Sequence, residues 1–322
     1  MSEPEPFLPD ASPDAPAANH QKSSRSVILW VALIVLFLTV WQFLTPVEQG
    51  SFSSSSSSSF EDVSSAGPGP SWTSVTIGAA PFAAVAVLLF LFLRAFRHQT
   101  AFNLAQEPGK LALAQHRYGE ATALFRSTLP RFVKQPAYHA VNLLNLGQAQ
   151  LCSGAFDDAI ASYARVERTK TLLFASNVRI FAAIELALAY ALGRDGLDTA
   201  ERWLAVARKR LAKTNDDRLN VGARLRFVEA IVLCRRGDHA GAIALLERHW
   251  LELRYTLSAN AMRTVELVRA FAEAQGSGRE GNVVAERLVR IEPVVPGELA
   301  YLGVAWPEMQ MFQTAHGLTR AV

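Results

Sequence analysis

The sequence predicts an all-α protein in which two transmembrane helices precede an α-solenoid of helix pairs. Three observations carry that prediction. Two uncharged apolar runs, Val27–Leu44 and Val75–Leu93, are each long enough to cross a bilayer. From about Ala101 onward, apolar residues recur at helical spacing between glycine-bearing turns. Alanines also recur every 38 to 43 residues, at Ala121, Ala159, Ala200, Ala242 and Ala285. Each has an apolar or aromatic residue four positions on: Phe125, Tyr163, Leu204, Leu246 and Val289. Positions four apart share a helix face, so each pair is expected to point at one partner helix.

Composition agrees. Of 322 residues, 50% are hydrophobic and only 19% charged, below the usual quarter or so, as membrane segments require. The net charge of +3 is unevenly spread: residues 1–93 carry −5 and the remainder +8. A basic carboxy-terminal part suits a membrane-proximal face or an acidic partner. Cys152 and Cys234 both lie in apolar helical contexts and are expected as reduced core thiols of a reducing compartment.

Residues 1–25 are rich in Pro, Ala, Ser and Asp without apolar periodicity and are expected to form a disordered cytoplasmic tail. Residues 26–45 are the first span, with Trp30 and Trp41 placed for the interfacial aromatic belt. The run is longer than a signal-peptide core and no small-x-small site follows it directly. Residues 46–74 include seven consecutive serines, Ser53–Ser59, and lack Lys and Arg; such a stretch is a linker. Residues 75–96 are the second span, where Gly78 and Pro81 can kink the outer end and Ala79/Ala83 and Ala80/Ala84 offer small contact surfaces. Lys22 and Arg25 flank the first span and Arg94 and Arg97 the second. The positive-inside rule then places both termini in the cytoplasm and the serine-rich loop outside. Residues 99–292 form the helical repeat domain. Residues 293–322 form a capping segment, expected to hold one more helix over the last pair, interrupted by Pro307.

Within the repeat domain, Leu143–Val166 reads as two helices around a tight turn: Leu143, Leu146, Gly147 and Gln150, then Gly154 and Phe156, then Ala159, Tyr163 and Val166. Small residues at Gly147 and Ala159 admit a close approach, and Phe156 and Tyr163 fill the space beside them. This pattern resembles the tetratricopeptide repeat (TPR) family, departing from it at Gln150, usually aromatic, and at Thr171, often proline. The match is fair over residues 223–250 and weaker elsewhere. The resemblance implies a TPR-like stack in which several units together bury what one cannot, with an inner surface lined by first helices. Mapped onto this chain, that surface holds Leu144, Asn145, Gln148 and Leu151, then Phe181, Ile184, Glu185 and Leu188, then Arg224, Phe227, Ile231 and Arg235. Asn145 matches one position of the carboxylate clamp found in some family members, while Phe181 and Glu185 replace bases of the following unit. A mixed apolar groove for a helix or an extended segment is the expectation. Separately, residues 25–98 resemble the membrane anchor of the membrane-bound AAA proteases. The ATP-binding and zinc motifs of those enzymes are absent, so an anchor is implied and no activity.

Motifs with chemistry point elsewhere. Gly276–Gly281 fits G-x-G-x-x-G but follows a helical stretch, where a dinucleotide cradle needs a strand; an inter-helix turn is expected. Gly109-Lys110 lacks the rest of a phosphate loop. The histidines lack helical zinc spacing, and no Gly-x-Ser-x-Gly elbow occurs. Arg202, Arg208, Lys209, Arg210 and Lys213 cluster on one helix and suit anionic head groups or a solvated face; nucleic acid is not expected. Asp158, Asp198 and Asp238 are placed to cap second helices or oppose their dipoles. The expectation is a non-enzymatic, cofactor-free and metal-free scaffold that binds protein partners on the cytoplasmic side of the membrane. The alternative is an accessory or regulatory subunit that meets a membrane enzyme through its spans.

Overall fold

The structure, a computed structural model, describes residues 72–169, 176–193, 196–214, 219–277, 282–291 and 297–319. The amino-terminal tail, the first span and most of the serine-rich loop lie outside the described residues. Among the described residues the regular structure is all helical: twelve α-helices, one 3-10 turn and no strand. The chain divides into one unit ending at Ala101 and a second formed by the residues from Phe102 onward.

Helix α1, Trp72–Ala114, is 43 residues long. The sequence reading ends the second span at residue 96 and starts the repeat domain at residue 99, and one helix runs through that boundary. No glycine or proline stands between Leu93 and Pro108, and the Ala, Leu, Arg and Gln in between favour helix. In the first unit its apolar side chains face outward: Val87, Leu88, Phe90 and Leu91 are all exposed. From Val85 the helix is long and apolar enough to cross a membrane, and lipid would remove the cost of that surface.

The second unit begins with the end of α1 and continues with α2 (Tyr118–Phe132), α3 (Pro136–Cys152), α4 (Phe156–Arg168), α5 (Ser176–Leu192) and α6 (Leu197–Leu211). There follow α7 (Leu219–Arg235), α8 (His239–Arg248), α9 (Trp250–Thr256), α10 (Ala259–Ser277) and α11 (Asn282–Val289). A 3-10 turn (Ala300–Gly303) and α12 (Pro307–Ala315) close the chain. Successive helices from α2 to α8 pack side by side. The first helix of each pair also touches that of the next, α3 with α5, α5 with α7 and α7 with α10.

The pairs share one turn geometry. His116, Gly154 and Gly237 have φ of 58°, 79° and 81°. Each precedes a residue, Arg117, Ala155 or Asp238, with φ between −82° and −87° and ψ between 65° and 68°. In all three the N–H of that following residue donates five residues back, to Ala112, Gln150 and Leu233, the Schellman closure of a helix end. Glycine takes this left-handed conformation freely; His116 takes it against the steric preference of its Cβ. Of the three aspartates, Asp238 caps α8 by accepting from Gly241 N at 2.9 Å. Asp158 and Asp198 lie in first turns without a capping bond and act through the helix dipole.

Packing repeats as well. A Cβ on Gly109 would stand 2.6 Å from Phe125 Cε1, and one on Gly147 would stand 2.5 Å from Tyr163 Cε1. Each pair therefore seats an aromatic ring on a bare backbone. Gly109, which the sequence leaves as a remnant of a phosphate-loop pattern, is a packing glycine. Ala121, Ala159, Ala200 and Ala242 are buried together with Phe125, Tyr163, Leu204 and Leu246. The fifth position departs. Ala285 is exposed and Val289 is 78% exposed, while Val284 is buried. The short α11 follows the glycine-rich stretch in a register shifted by one residue. Helix α9, with Leu253 buried, packs against α7 between α8 and α10 of the chain. Pro307 starts α12 at its first turn, where a missing N–H costs nothing, so it does not interrupt a helix.

Candidate functional site

The residues mapped to the inner surface sit on α3, α5 and α7 and are largely covered. Leu144, Leu151, Phe181, Ile184, Leu188, Phe227 and Ile231 are buried in the apolar core. Polar members of the set are buried too, so each needs a partner, found on a neighbouring helix for Asn145, Glu185 and Arg224 and on its own helix for Gln148. Asn145 Nδ2 donates to Gln106 Oε1 at 3.1 Å. Gln106 Nε2 donates to Asn142 Oδ1 at 3.1 Å and to Thr128 Oγ1 at 3.3 Å. That chain ties α1, α2 and α3 together and commits the Asn145 amide inward, away from any peptide carboxylate. Gln148 Nε2 donates to Cys152 Sγ at 3.4 Å. Gln150, the departure from the expected aromatic, accepts from Ser162 Oγ at 2.7 Å and so remains compatible with burial.

Glu185 on α5 and Arg224 on α7 form a two-point ion pair, Nε to Oε1 at 2.7 Å and Nη2 to Oε2 at 3.0 Å. Burial works against the Arg224 charge; the Glu185 carboxylate outweighs it by charge and hydrogen bond, and the guanidinium is held more firmly protonated than in water. Its carbon stands 5.3 Å from the centre of the Phe227 ring. Nearby, burial first and Glu185 second push the Tyr163 phenol well above its ordinary value. Arg235, at the end of α7, is half-buried. Nε donates to the carbonyl of Ala191 at 3.0 Å and Nη2 to that of Gly193 at 3.3 Å, a cation on the negative end of α5. Its other side lies over Trp306, 5.4 Å from the ring centre.

At Arg235 on α7 this surface meets the chain's own carboxy-terminal segment, through Trp306. Glu298, Leu299, Leu302, Trp306, Met309 and Phe312 are all buried. Residue-by-residue sequence reading misses this contact, because only the density of large apolar residues between Leu299 and Phe312 signals that the segment is enclosed.

The basic cluster on α6 is partly committed to pairs between helices. Arg208 Nε meets Glu229 Oε1 at 2.6 Å. Arg210 holds both oxygens of Glu167, at 2.6 and 2.8 Å, and the carbonyl of Arg179 at 2.9 Å. Gly276 lies in α10 and the next described helix begins at Asn282, so the glycine-rich stretch joins two helices and has no strand before it. Residues 278–281 lie outside the described residues. Cys152 and Cys234 are buried free thiols. Among the described residues no cluster of three or more His, Cys, Asp or Glu side chains is placed to hold a metal ion.

Among the described residues these features define an all-helical protein with one helix long and apolar enough to cross a membrane. Compared with protein-family models, curated proteins and solved structures, it matches none of them.

Proposed function

We propose that this protein is a membrane-anchored scaffold: a TPR-like solenoid of helix pairs, held on the cytoplasmic face by two spans, that binds protein partners. One observation carries the reading. The first helices of successive pairs lie against one another, and side chains of α7 and α10 already hold a turn-then-helical segment, residues 297–319, with Trp306 against Arg235 and Phe271. A surface that accommodates such a segment has the form of a helix-in-groove binder. Shared turn geometry at His116, Gly154 and Gly237 and the paired glycine–aromatic contacts support a repeated unit. The topology rests on the basic residues outside both apolar runs and their absence between them.

Deleting residues 1–98 tests the scaffold reading against that of an accessory subunit contacting its complex through the spans. Partners identified by cross-linking the full chain in cells are expected to remain bound to the shortened chain. Loss of every one of them on deletion, with the remainder still helical by circular dichroism, would shift the function to the spans.

A further inference from the structure

Resting on the scaffold reading, we propose that the surface formed by His116 and Tyr118 with α7 and α10 is a peptide-binding site occupied in cis by residues 297–319. It fits a partner segment that carries a carboxylate, an aromatic of tryptophan size eight residues later and a second aromatic six residues after that, the spacing of Glu298, Trp306 and Phe312.

The segment touches the first pair as well as the fifth and is not confined to the last pair. At one end, the Tyr118 hydroxyl donates to the Glu298 carbonyl at 3.4 Å, and His116 Nε2 lies 3.7 Å from the Glu298 carboxylate. These belong to the first pair. The same carboxylate takes a hydrogen bond from Arg263 of α10, so Glu298 joins the first pair to the fifth. In the middle, a Cβ on Gly154 would stand 3.0 Å from Val304. At the other end, Trp306 is held between Arg235 and Phe271, 5.0 Å from the latter's ring centre, and Phe312 meets Phe271 at 5.6 Å.

The manner of contact resembles a bound peptide. Helix α12 packs along its length against the 3-10 turn of the same segment and meets the other helices through side chains. Its own end is closed by a Schellman bond from Leu318 N to the Gln313 carbonyl. The residues joining it to α11 include Pro293 and Pro296, which do not continue a helix. Charge is complementary where the two meet: Arg263 faces the Glu298 carboxylate and Arg235 lies over the Trp306 ring. A tether this short supplies its ligand at an effective concentration on the order of millimolar, so a partner must be tight or abundant to replace it.

The test uses the full chain in detergent micelles and a fluorescein-labelled peptide of residues 297–319, with binding followed by anisotropy. The substitutions Glu298→Gln, Trp306→Ala and Phe312→Ala are combined in the chain to loosen the resident segment. The peptide is expected to bind the triple variant at least tenfold more tightly than the unsubstituted chain, and a scrambled peptide is expected to bind neither. Failure to bind a variant that keeps its helical spectrum overturns the proposal. A variant that loses that spectrum overturns it as well, because the segment is then a wall of the fold. Dimerisation of the variant on raising its concentration would assign the face to a second copy and overturn the partner. Independently, hydrogen exchange on the unsubstituted chain is expected to release α12 amides at least tenfold sooner than those of α5 and α7; release only together with them overturns the proposal. If the peptide fails while cross-linked partners persist, this site is wrong and the scaffold reading stands; if the partners vanish too, that reading falls.

Discussion

The carboxylate of Glu185 and the guanidinium of Arg224, on neighbouring first helices, meet at two points with both side chains only 5% exposed. Such a pair registers α5 against α7, because a slip of one residue would bury each charge alone. Removing one partner by Glu185→Ala is expected to cost about 3–5 kcal/mol, since the guanidinium stays buried without its counter-charge. Replacing both residues with methionine is expected to restore most of that loss. Denaturant midpoints of the two variants check the prediction, which fails if the double variant is no more stable than the single.

Gly147 supports the Tyr163 ring on bare backbone. Gly147→Ala is expected to destabilise by about 1–3 kcal/mol through overpacking. Gly119, also helical, has open space around its Cβ position, and Gly119→Ala is expected to stabilise by about 0.4–1 kcal/mol. Equal shifts in the melting of both variants would contradict the close approach.

The shifted register of α11 is testable by charge insertion. Val284→Asp is expected to lower stability by more than about 2 kcal/mol, since it buries an unpaired carboxylate. Ala285→Asp is expected to stay within about 0.5 kcal/mol of the parent. The reverse ranking would restore the register that the alanine spacing suggests.

The thiol of Cys234 is pushed up to about 12, first by burial and then by the charge of Asp238. Almost none of it is thiolate at pH 8, and the thiolate is the reacting form. Iodoacetamide at that pH is expected to leave Cys234 unmodified in the folded chain and to alkylate it in guanidinium. Mass spectrometry of the peptide reads the outcome, and rapid labelling under native conditions would contradict the burial.

His139 is held below its ordinary value of 6.5, first by burial and then by Arg165. Its folded pKa is depressed, so the proton prefers the unfolded chain. The contribution of neutral His139 is therefore present above about pH 6.5 and is lost as pH falls below that value. Thermal melts between pH 7 and pH 5 are expected to fall less steeply for His139→Gln than for the parent; parallel slopes would exclude His139 as a source.

The sequence by itself determined the helical class, the helix pairs and their inward alanine–aromatic faces, because periodicity of 3.6 and left-handed turn glycines are local properties. Ala121, Ala159, Ala200 and Ala242 are buried as their spacing requires. Local signals failed where a competing fit won. The α11 register moved by one residue, leaving Ala285 and Val289 exposed. Only the tertiary structure decided what the carboxy-terminal segment lies against. Glu298 lies 180 residues along the chain from Tyr118, yet it lies against Tyr118, His116 and Arg263 at once. No spacing rule encodes that meeting. It follows from the packing of the helices between them, which is the sum of many contacts distant in sequence.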